Sequence, residues 1–365
     1  MVIEMDSIFL WGTGEIAHRV IGELHDYIFD KYDIKGFIDN SVDRQGQLFY
    51  GRYVYSPEIL EKQEFDYVVI LTDSFDVISR QIQIGFEFVK NRIRNKNVFY
   101  ENLLYARYRY SDDDEIKKTL LHIEKNGLDI FNYDFVNEYD SIDIDVRYDT
   151  TCHMYYVLHE NKAVYFKREI NTKELAKMYY RSILVEQDIR SPHRYIDDGF
   201  QVKNDDVVVD AGVAEGTFSV EVVERVSKLY LIECDPKWME ALMQTFRDYR
   251  DKVVFINKYL TSYSDGIYSS LDNLINEPVN FIKMDIEGNE WEALRGAGEI
   301  IRRSSDLRCA ICAYHADGDE ELIQSELKRY GLKCSTTKGY MWFPYRCKSR
   351  YVSTMLHRGI IRGEK

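Results

Sequence analysis

Residues 207–235 read VVVDAGVAEGTFSVEVVERVSKLYLIECD. An apolar run at 207–209 enters the turn Asp210-Ala-Gly212-Val-Ala-Glu-Gly216. An amphipathic stretch follows, and a second apolar run at 229–232 ends on Glu233. The order is strand, glycine-rich turn, helix, strand, acid. Glycines let a backbone come close to a ligand, and the following helix offers free N–H groups at its start. An acid at the tip of the second strand accepts hydrogen bonds from a ribose diol. The unit is therefore predicted to hold a nucleoside-containing cofactor.

The spacing narrows which one. A dinucleotide turn uses G-x-G-x-x-G to seat a pyrophosphate. Here the pattern is D-x-G-x-x-x-G, and Asp210 stands where it would repel a pyrophosphate. A cofactor with a cationic centre and a small carboxylate fits better, which points to S-adenosylmethionine. Asp210, Gly212 and Gly216 are predicted to line its methionine end, and Glu233 its ribose. Asp235 either shapes the adenine pocket or caps the helix that begins at Pro236.

The chain around this unit has 365 residues, which suggests two or three domains. A net charge of −14 argues against a nucleic-acid partner, which would call for a basic face. No apolar run approaches the roughly 18 residues of a membrane span, and MVIEMDSIFLWG reads as a first strand rather than a leader. A cytoplasmic protein is expected. The cysteines, at 152, 234, 309, 312, 334 and 347, are scattered as reduced thiols would be. Cys309 and Cys312 lie in RCAICAY, a strand on which they face opposite sides, so buried structural thiols are expected rather than a zinc site.

The fold class is predicted as α/β: a C-terminal doubly wound Rossmann-like sheet preceded by a smaller N-terminal Rossmann-like domain. The N-terminal domain covers 1–101. Its strands are expected at SIFLW, KGFIDN, DYVVILT and NVFYE, with a long helix over 75–95. Residues 102–170 read as a connector with a short helix at 116–126 and a hairpin around Asn161. The C-terminal domain spans 171–345 and is expected to close on an antiparallel pair, KCSTT with YMWFPYR. A basic tail, 346–365, is expected to be either a solvated face or a phosphate contact.

With these elements placed, the C-terminal domain resembles the FkbM family of S-adenosylmethionine-dependent methyltransferases. The matching pieces are 207–219, IECD at 232–235, SLDNL at 270–274, FIKMDIEGNEWEALRGA at 281–297 and AICAYH at 310–315. The family pattern has Asn where this chain has Ala214, and an apolar residue at Glu215. The N-terminal domain resembles the nucleotide-sugar-binding domain of some sugar acetyltransferases, through Gly12-Thr-Gly14 and the strand Gly36-Phe-Ile-Asp39-Asn40. Gly12, Gly14 and Asp39 are thus candidates for a second nucleotide site. The bland alternative is a docking or dimerisation domain that keeps the fold without a ligand.

Asp285 and Glu287 end the fourth strand of the C-terminal domain and His315 ends the fifth, so a parallel sheet brings them to one mouth. Methylation of a hydroxyl needs a proton removed, and a His near its ordinary pKa suits that role at neutral pH. His315 is the predicted base, with Asp285 positioning it or the substrate and also a candidate cofactor-binding residue. The plain alternative is that both residues only bond loop backbone. A rival use of Asp285, Glu287 and His315 is as ligands of a divalent metal, which is not favoured. In the loop SPHRY, His193 is a second candidate base, and Arg194 is placed to grip an anionic substrate or cover the cofactor. The whole chain is expected to be an O-methyltransferase acting on a hydroxyl of a sugar or glycan precursor, with a small-molecule, glycan or nucleotide-sugar partner and a homo-oligomer as a candidate state. The alternative is a catalytically inactive nucleotide-sugar-binding or scaffold protein. NAD-linked redox at Gly12 and Gly14 is disfavoured, because the third glycine is missing.

Overall fold

The computed structural model describes residues 5–316, 318–343 and 355–365. These fall into two compact units. The first comprises the described residues up to 112 together with 120–129, and the second comprises 113–119, 130–343 and 355–365.

In the first unit, β1 (Ser7–Trp11), α1 (Glu15–Lys31), β2 (Asp33–Ile38), β3 (Leu48–Phe49), β4 (Arg52–Tyr55), β5 (Tyr67–Ile70), α2 (Phe75–Gly85), β6 (Ile93–Asn95) and α3 (Val98–Tyr108) follow in order. The sheet order is β3-β4-β2-β1-β5-β6, parallel apart from the β3–β4 pair. The α1 helix exists because Ala17, Val20, Ile21, Leu24 and Ile28 recur at helical spacing and all are buried. The fourth parallel strand differs from expectation. It is β6, inside the stretch predicted as one long helix, while NVFYE begins α3. The α2 helix stops at Gly85, and the Asn95 side chain accepts the Asn97 N–H at 3.1 Å, turning the chain out of the strand. Phe99, Tyr100 and Leu104 then bury one face of α3.

After α4 (Asp114–Asn126), the second unit opens with the antiparallel strands β7 (Arg147–Asp149), β8 (Met154–His159) and β9 (Lys162–Tyr165). The predicted hairpin turns at Glu160 and Asn161, whose φ values of 48° and 65° match a two-residue turn. It is not part of a separate connector: Val157, Val164 and Phe166 are fully buried in the core of the second unit. The helix α5 (Lys173–Glu186) starts at Thr172, whose hydroxyl accepts the Leu175 N–H.

The main sheet follows as β10 (Val207–Ala211), α6 (Thr217–Val222), β11 (Lys228–Ile232), α7 (Pro236–Thr245), β12 (Val253–Ile256), β13 (Tyr259–Leu260), β14 (Tyr268–Ser269), α8 (Leu271–Leu274), β15 (Phe281–Met284), α9 (Glu290–Arg295), α10 (Gly298–Arg303), β16 (Arg308–Cys312), α11 (Asp319–Arg329), β17 (Lys333–Thr336) and β18 (Ile360–Glu364). Its order is β12-β11-β10-β15-β16-β18-β17, a Rossmann-like doubly wound sheet in which β18 runs antiparallel to both neighbours. Strand order reverses between β10 and β15, where ligands of such sheets collect. Alternate residues of each strand face different cores, as the cysteines of β16 show: Cys309 packs on one side and Cys312 on the other.

The C-terminal segment corrects the predicted tail. Residues 360–364 are not a solvated extension; they insert as β18 between β16 and β17 and bury Ile360 and Ile361. The partner of KCSTT is therefore β18. The described basic residues are engaged within the unit: Arg358 with Glu115, Arg362 with Asp197, and Lys365 with the carbonyls of Ile301 and Ser304. Arg346, Cys347, Lys348 and Arg350 lie outside the described residues.

Candidate functional site

The turn after β10 is shaped by contact as much as by ligand access. Gly212 has φ +74°, and a Cβ there would fall 1.6 Å from the backbone oxygen of Asp285, so the tips of β10 and β15 touch at this point. Gly216, at φ +87°, precedes α6, and a Cβ there would meet Leu242 at 2.8 Å. Between them Ala214 also takes a left-handed conformation, φ +48°. That conformation aims the Ala214 N–H at Glu233, which accepts it at 2.9 Å and accepts the Asp235 N–H at 2.8 Å. The acid at the end of β11 is thus fixed by the turn it faces.

Asp210 does not line the site as predicted. It is fully buried, its carboxylate accepting the Ser219 hydroxyl at 2.6 Å and pairing with Lys283 at 3.1 Å. Asp210 and Lys283 sit directly opposite in the β10–β15 register. The ammonium also donates to the Gly212 carbonyl at 2.5 Å, so Asp210 acts on the turn through Lys283. Burial alone would lower the Lys283 pKa, but Asp210 and Asp285 outweigh it and raise it, keeping the side chain charged. Lys283→Met strands a buried carboxylate and is expected to cost about 3–5 kcal/mol. Urea unfolding of the variant against the parent protein checks this; a loss under ~1 kcal/mol would contradict the pairing.

A cleft of about 550 Å³ opens at the strand tips, within the size range of cofactor sites. Gly212, Ala214, Glu233, Trp238, Thr261, Tyr268 and Asp285 are among the residues that line it. Asp235 is the helix cap rather than a pocket residue: it accepts the Lys237 N–H at 2.9 Å and pairs with Lys167 at 3.2 Å. Trp238 and the tyrosines at 263 and 268 were not singled out from the sequence, since nothing local separates them from the many other aromatics of this chain.

At the inner end, Asp285 is a hub. It accepts the Tyr195 hydroxyl at 2.8 Å and lies 3.5 Å from Nε2 of His315 and 3.8 Å from Nε2 of His193. Burial would raise its carboxyl, but His315, Lys283 and His193 outweigh this and hold it at about 2. The His315 ring joins two carboxylates through its two nitrogens, its Nδ1 standing 3.1 Å from Glu290. Glu290 is itself pinned by the N–H groups of Ile286 and Gly288. Burial would lower the His315 pKa, yet Glu290, Asp285 and Glu287 carry it to about 9. That shift favours the protonated ring, which pairs with Asp285 and has no lone pair free to take a proton, and this weighs against the predicted base role. The pair Asp285 and His315 does meet at one mouth, as its strand positions imply. Glu287, at φ +58°, lies exposed at the rim of both cavities, its oxygen 3.8 Å from His315. Among the described residues, two trios lie close enough to share an ion, His193 with Asp285 and Cys312, and Asp285 with Glu290 and His315, and neither contains Glu287.

These shifts set a pH window. The His315 pKa is raised from 6.5, so its contribution is fully present below 6.5 and is lost as pH rises through about 9. The Asp285 pKa is lowered from 3.8, so its contribution is present above 3.8 and is lost as pH falls toward about 2. Unfolding free energy is expected to hold level between these bounds and to decline on the alkaline side; in His315→Asn that alkaline decline should flatten.

His193 is buried behind the mouth. Its Nε2 bonds the Tyr314 hydroxyl at 2.8 Å, and its Nδ1 lies 3.0 Å from Glu186 and 3.2 Å from the Gln187 amide. Arg194 is not available to grip a substrate: both guanidinium nitrogens are held by Glu221, at 3.0 and 2.9 Å. A second, smaller cavity of about 220 Å³ shares Gly212, Ala214, Asp285 and Glu287 with the cleft and is otherwise walled by Tyr179, Glu215 and Phe343, among others.

In the first unit, Gly12 takes φ +112° and would bring a Cβ to 2.9 Å from Thr72, while Gly14 precedes α1. Asp39 receives both the N–H and the hydroxyl of Thr13 and pairs with Arg44 at 3.1 Å. Burial would raise its carboxyl, but Thr13, Ser41 and Arg44 lower it. The glycine turn and the acid thus meet, as their strand positions require.

Residues 267–328 match the Methyltransferase FkbM domain. Residues 4–94 match the C2185-like N-terminal domain. No curated protein matches the chain. Among solved structures, the chain is similar to the methyltransferase FkbM of Methylobacillus flagellatus KT, at 16% identity over 99% of this chain and 90% of that one, TM-score 0.45. It is also similar to a precorrin-6y C5,15-methyltransferase from Geobacter metallireducens GS-15 (16% identity, 45% and 82%, TM-score 0.32) and to an rRNA methylase from Streptococcus thermophilus (18%, 45% and 89%, TM-score 0.31). The FkbM-domain match and the sheet together support an S-adenosylmethionine-dependent methyltransferase.

Proposed function

We propose that this protein transfers a methyl group from S-adenosylmethionine to a hydroxyl of a sugar or glycan precursor. The observation that carries the reading is the cleft that runs from Glu233 to Asp285 and borders a second cavity at Asp285. One cavity suits the cofactor and the other an acceptor. The residues fit the cofactor: Glu233 faces the cleft with its orientation set by two N–H groups, leaving lone pairs for a ribose diol. The glycine at 212 keeps the wall free of a side chain. When bound, S-adenosylmethionine supplies an electrophilic methyl group. Asp285, ionised and held by Tyr195 and His315, would orient the acceptor hydroxyl and take its proton as the hydroxyl oxygen bonds the methyl carbon and the carbon–sulfur bond breaks. The sugar assignment draws on the family resemblance.

Calorimetric titration with S-adenosylhomocysteine tests the cofactor half. Binding by the full chain is expected, weakened about 10- to 100-fold in Glu233→Gln through loss of a charged acceptor. Absence of binding to the unaltered protein would end the methyl-transfer reading.

A further inference from the structure

The smaller cavity contains a charge that its surroundings do not balance. Glu215, in the turn between β10 and α6, is 5% exposed. Its Oε1 accepts the Thr217 hydroxyl at 2.7 Å and its Oε2 the Tyr179 hydroxyl at 3.0 Å. Both donors are neutral, and no cation pairs with Glu215 among the described residues. Burial pushes its carboxyl up, and nearby Glu186 adds to the rise. A buried carboxylate without a counter-charge is costly, and an apolar side chain would fill the same space without that cost. Among the described residues, the lining offers no spare cation. Lys283 is committed to Asp210, and Arg194, outside the lining, to Glu221. Three further acids, Glu186, Asp285 and Glu287, line the same cavity, with Tyr195, Tyr314 and Phe343 among its aromatic walls. A buried acid facing an aromatic wall is the environment in which an ammonium is stabilised by charge and by ring faces together.

We propose that this cavity selects an acceptor bearing a protonated amine, which Glu215 neutralises while the neighbouring hydroxyl is presented at Asp285. The proposal rests on the methyl-transfer reading and narrows its substrate class to amino sugars or similar amino alcohols. Anionic acceptors, such as uronates and phosphorylated sugars, are repelled by the same four carboxylates.

The test uses the full chain saturated with S-adenosylhomocysteine, at mildly acidic pH where an amine is charged. Glucosamine, methyl glucoside and glucuronate are titrated by ligand-observed NMR. Glucosamine is expected to bind about tenfold tighter than methyl glucoside, with glucuronate weakest. Glu215→Gln should bring glucosamine and methyl glucoside level while S-adenosylhomocysteine affinity, read by calorimetry, changes less than about twofold. Glu215→Val should lose the same preference and melt at a higher temperature, because the unpaired charge is gone. Equal binding of the three probes by the parent protein, a preference for glucuronate, or no binding of any of them overturns the proposal. A large fall in S-adenosylhomocysteine affinity in Glu215→Gln also overturns it, since Glu215 would then serve the ammonium of the cofactor. If the parent protein does not bind S-adenosylhomocysteine, the methyl-transfer reading fails separately, and the same three titrations without it still decide what the cavity prefers.

Discussion

Gly212→Ala is expected to abolish S-adenosylhomocysteine binding and to lower stability by about 3 kcal/mol or more, the combined scale of backbone strain and overpacking. Two separate penalties act. The backbone stands at φ +74°, a region that side chains with a Cβ adopt reluctantly. The new methyl would also sit 1.6 Å from the Asp285 oxygen, a distance no rotamer adjustment relieves because both atoms belong to the main chain. The tips of β10 and β15 would have to part, which pulls the Gly212 carbonyl from Lys283 and the Ala214 N–H from Glu233. Calorimetry and urea unfolding read the two losses. A variant that binds normally would show that the strand tips do not define the cleft. Gly216→Ala should be milder, since its nearest neighbour is the end of a Leu242 side chain, which can move.

Asp285→Asn is expected to lower methyl transfer by about 100- to 1,000-fold, in the range of a lost acid–base or orienting group. The amide keeps the shape of the carboxylate but gives up its charge. It leaves His315, Lys283 and His193 facing a neutral group and weakens the grip on the acceptor hydroxyl. S-adenosylhomocysteine affinity should largely survive, because Glu233 and the 212–216 turn are untouched. Transfer of radiolabel from S-adenosyl-[methyl-³H]methionine to a panel of sugars and amino sugars is the measurement. Undiminished transfer would remove Asp285 from the chemistry. His315→Asn should follow the same direction with a smaller loss, as it removes the anchor of Asp285 rather than the group that meets the acceptor.

Much of the architecture was legible because it is local. Apolar runs of strand length, glycines at fixed offsets and acids at strand ends place β10, β11 and β15 and bring Glu233, Asp285 and His315 to one mouth. The failures share one cause. NVFYE fits strand and helix alike, and only the turn at Asn95 and the burial of Phe99 and Leu104 choose the helix. YMWFPYR was the expected last strand, and IIRGE was placed in the basic tail. The antiparallel slot between β16 and β17 went to the latter, which no local pattern announces. Lys283 was visible as a charged residue inside an apolar strand, but its meaning depends on Asp210 lying opposite it, 73 residues earlier in the chain.

The sequence by itself determined the succession of elements, the glycine turn and the identity of the acids at the strand tips, because periodicity and backbone freedom act over a few residues. The tertiary structure alone decided the charges. It buried Asp210 against Lys283, set His315 between Asp285 and Glu290 so that its pKa rises, tied Arg194 to Glu221 and, among the described residues, left Glu215 without a counter-ion. Protonation depends on which groups face one another across the fold and on how little water remains between them, and distant strands set both.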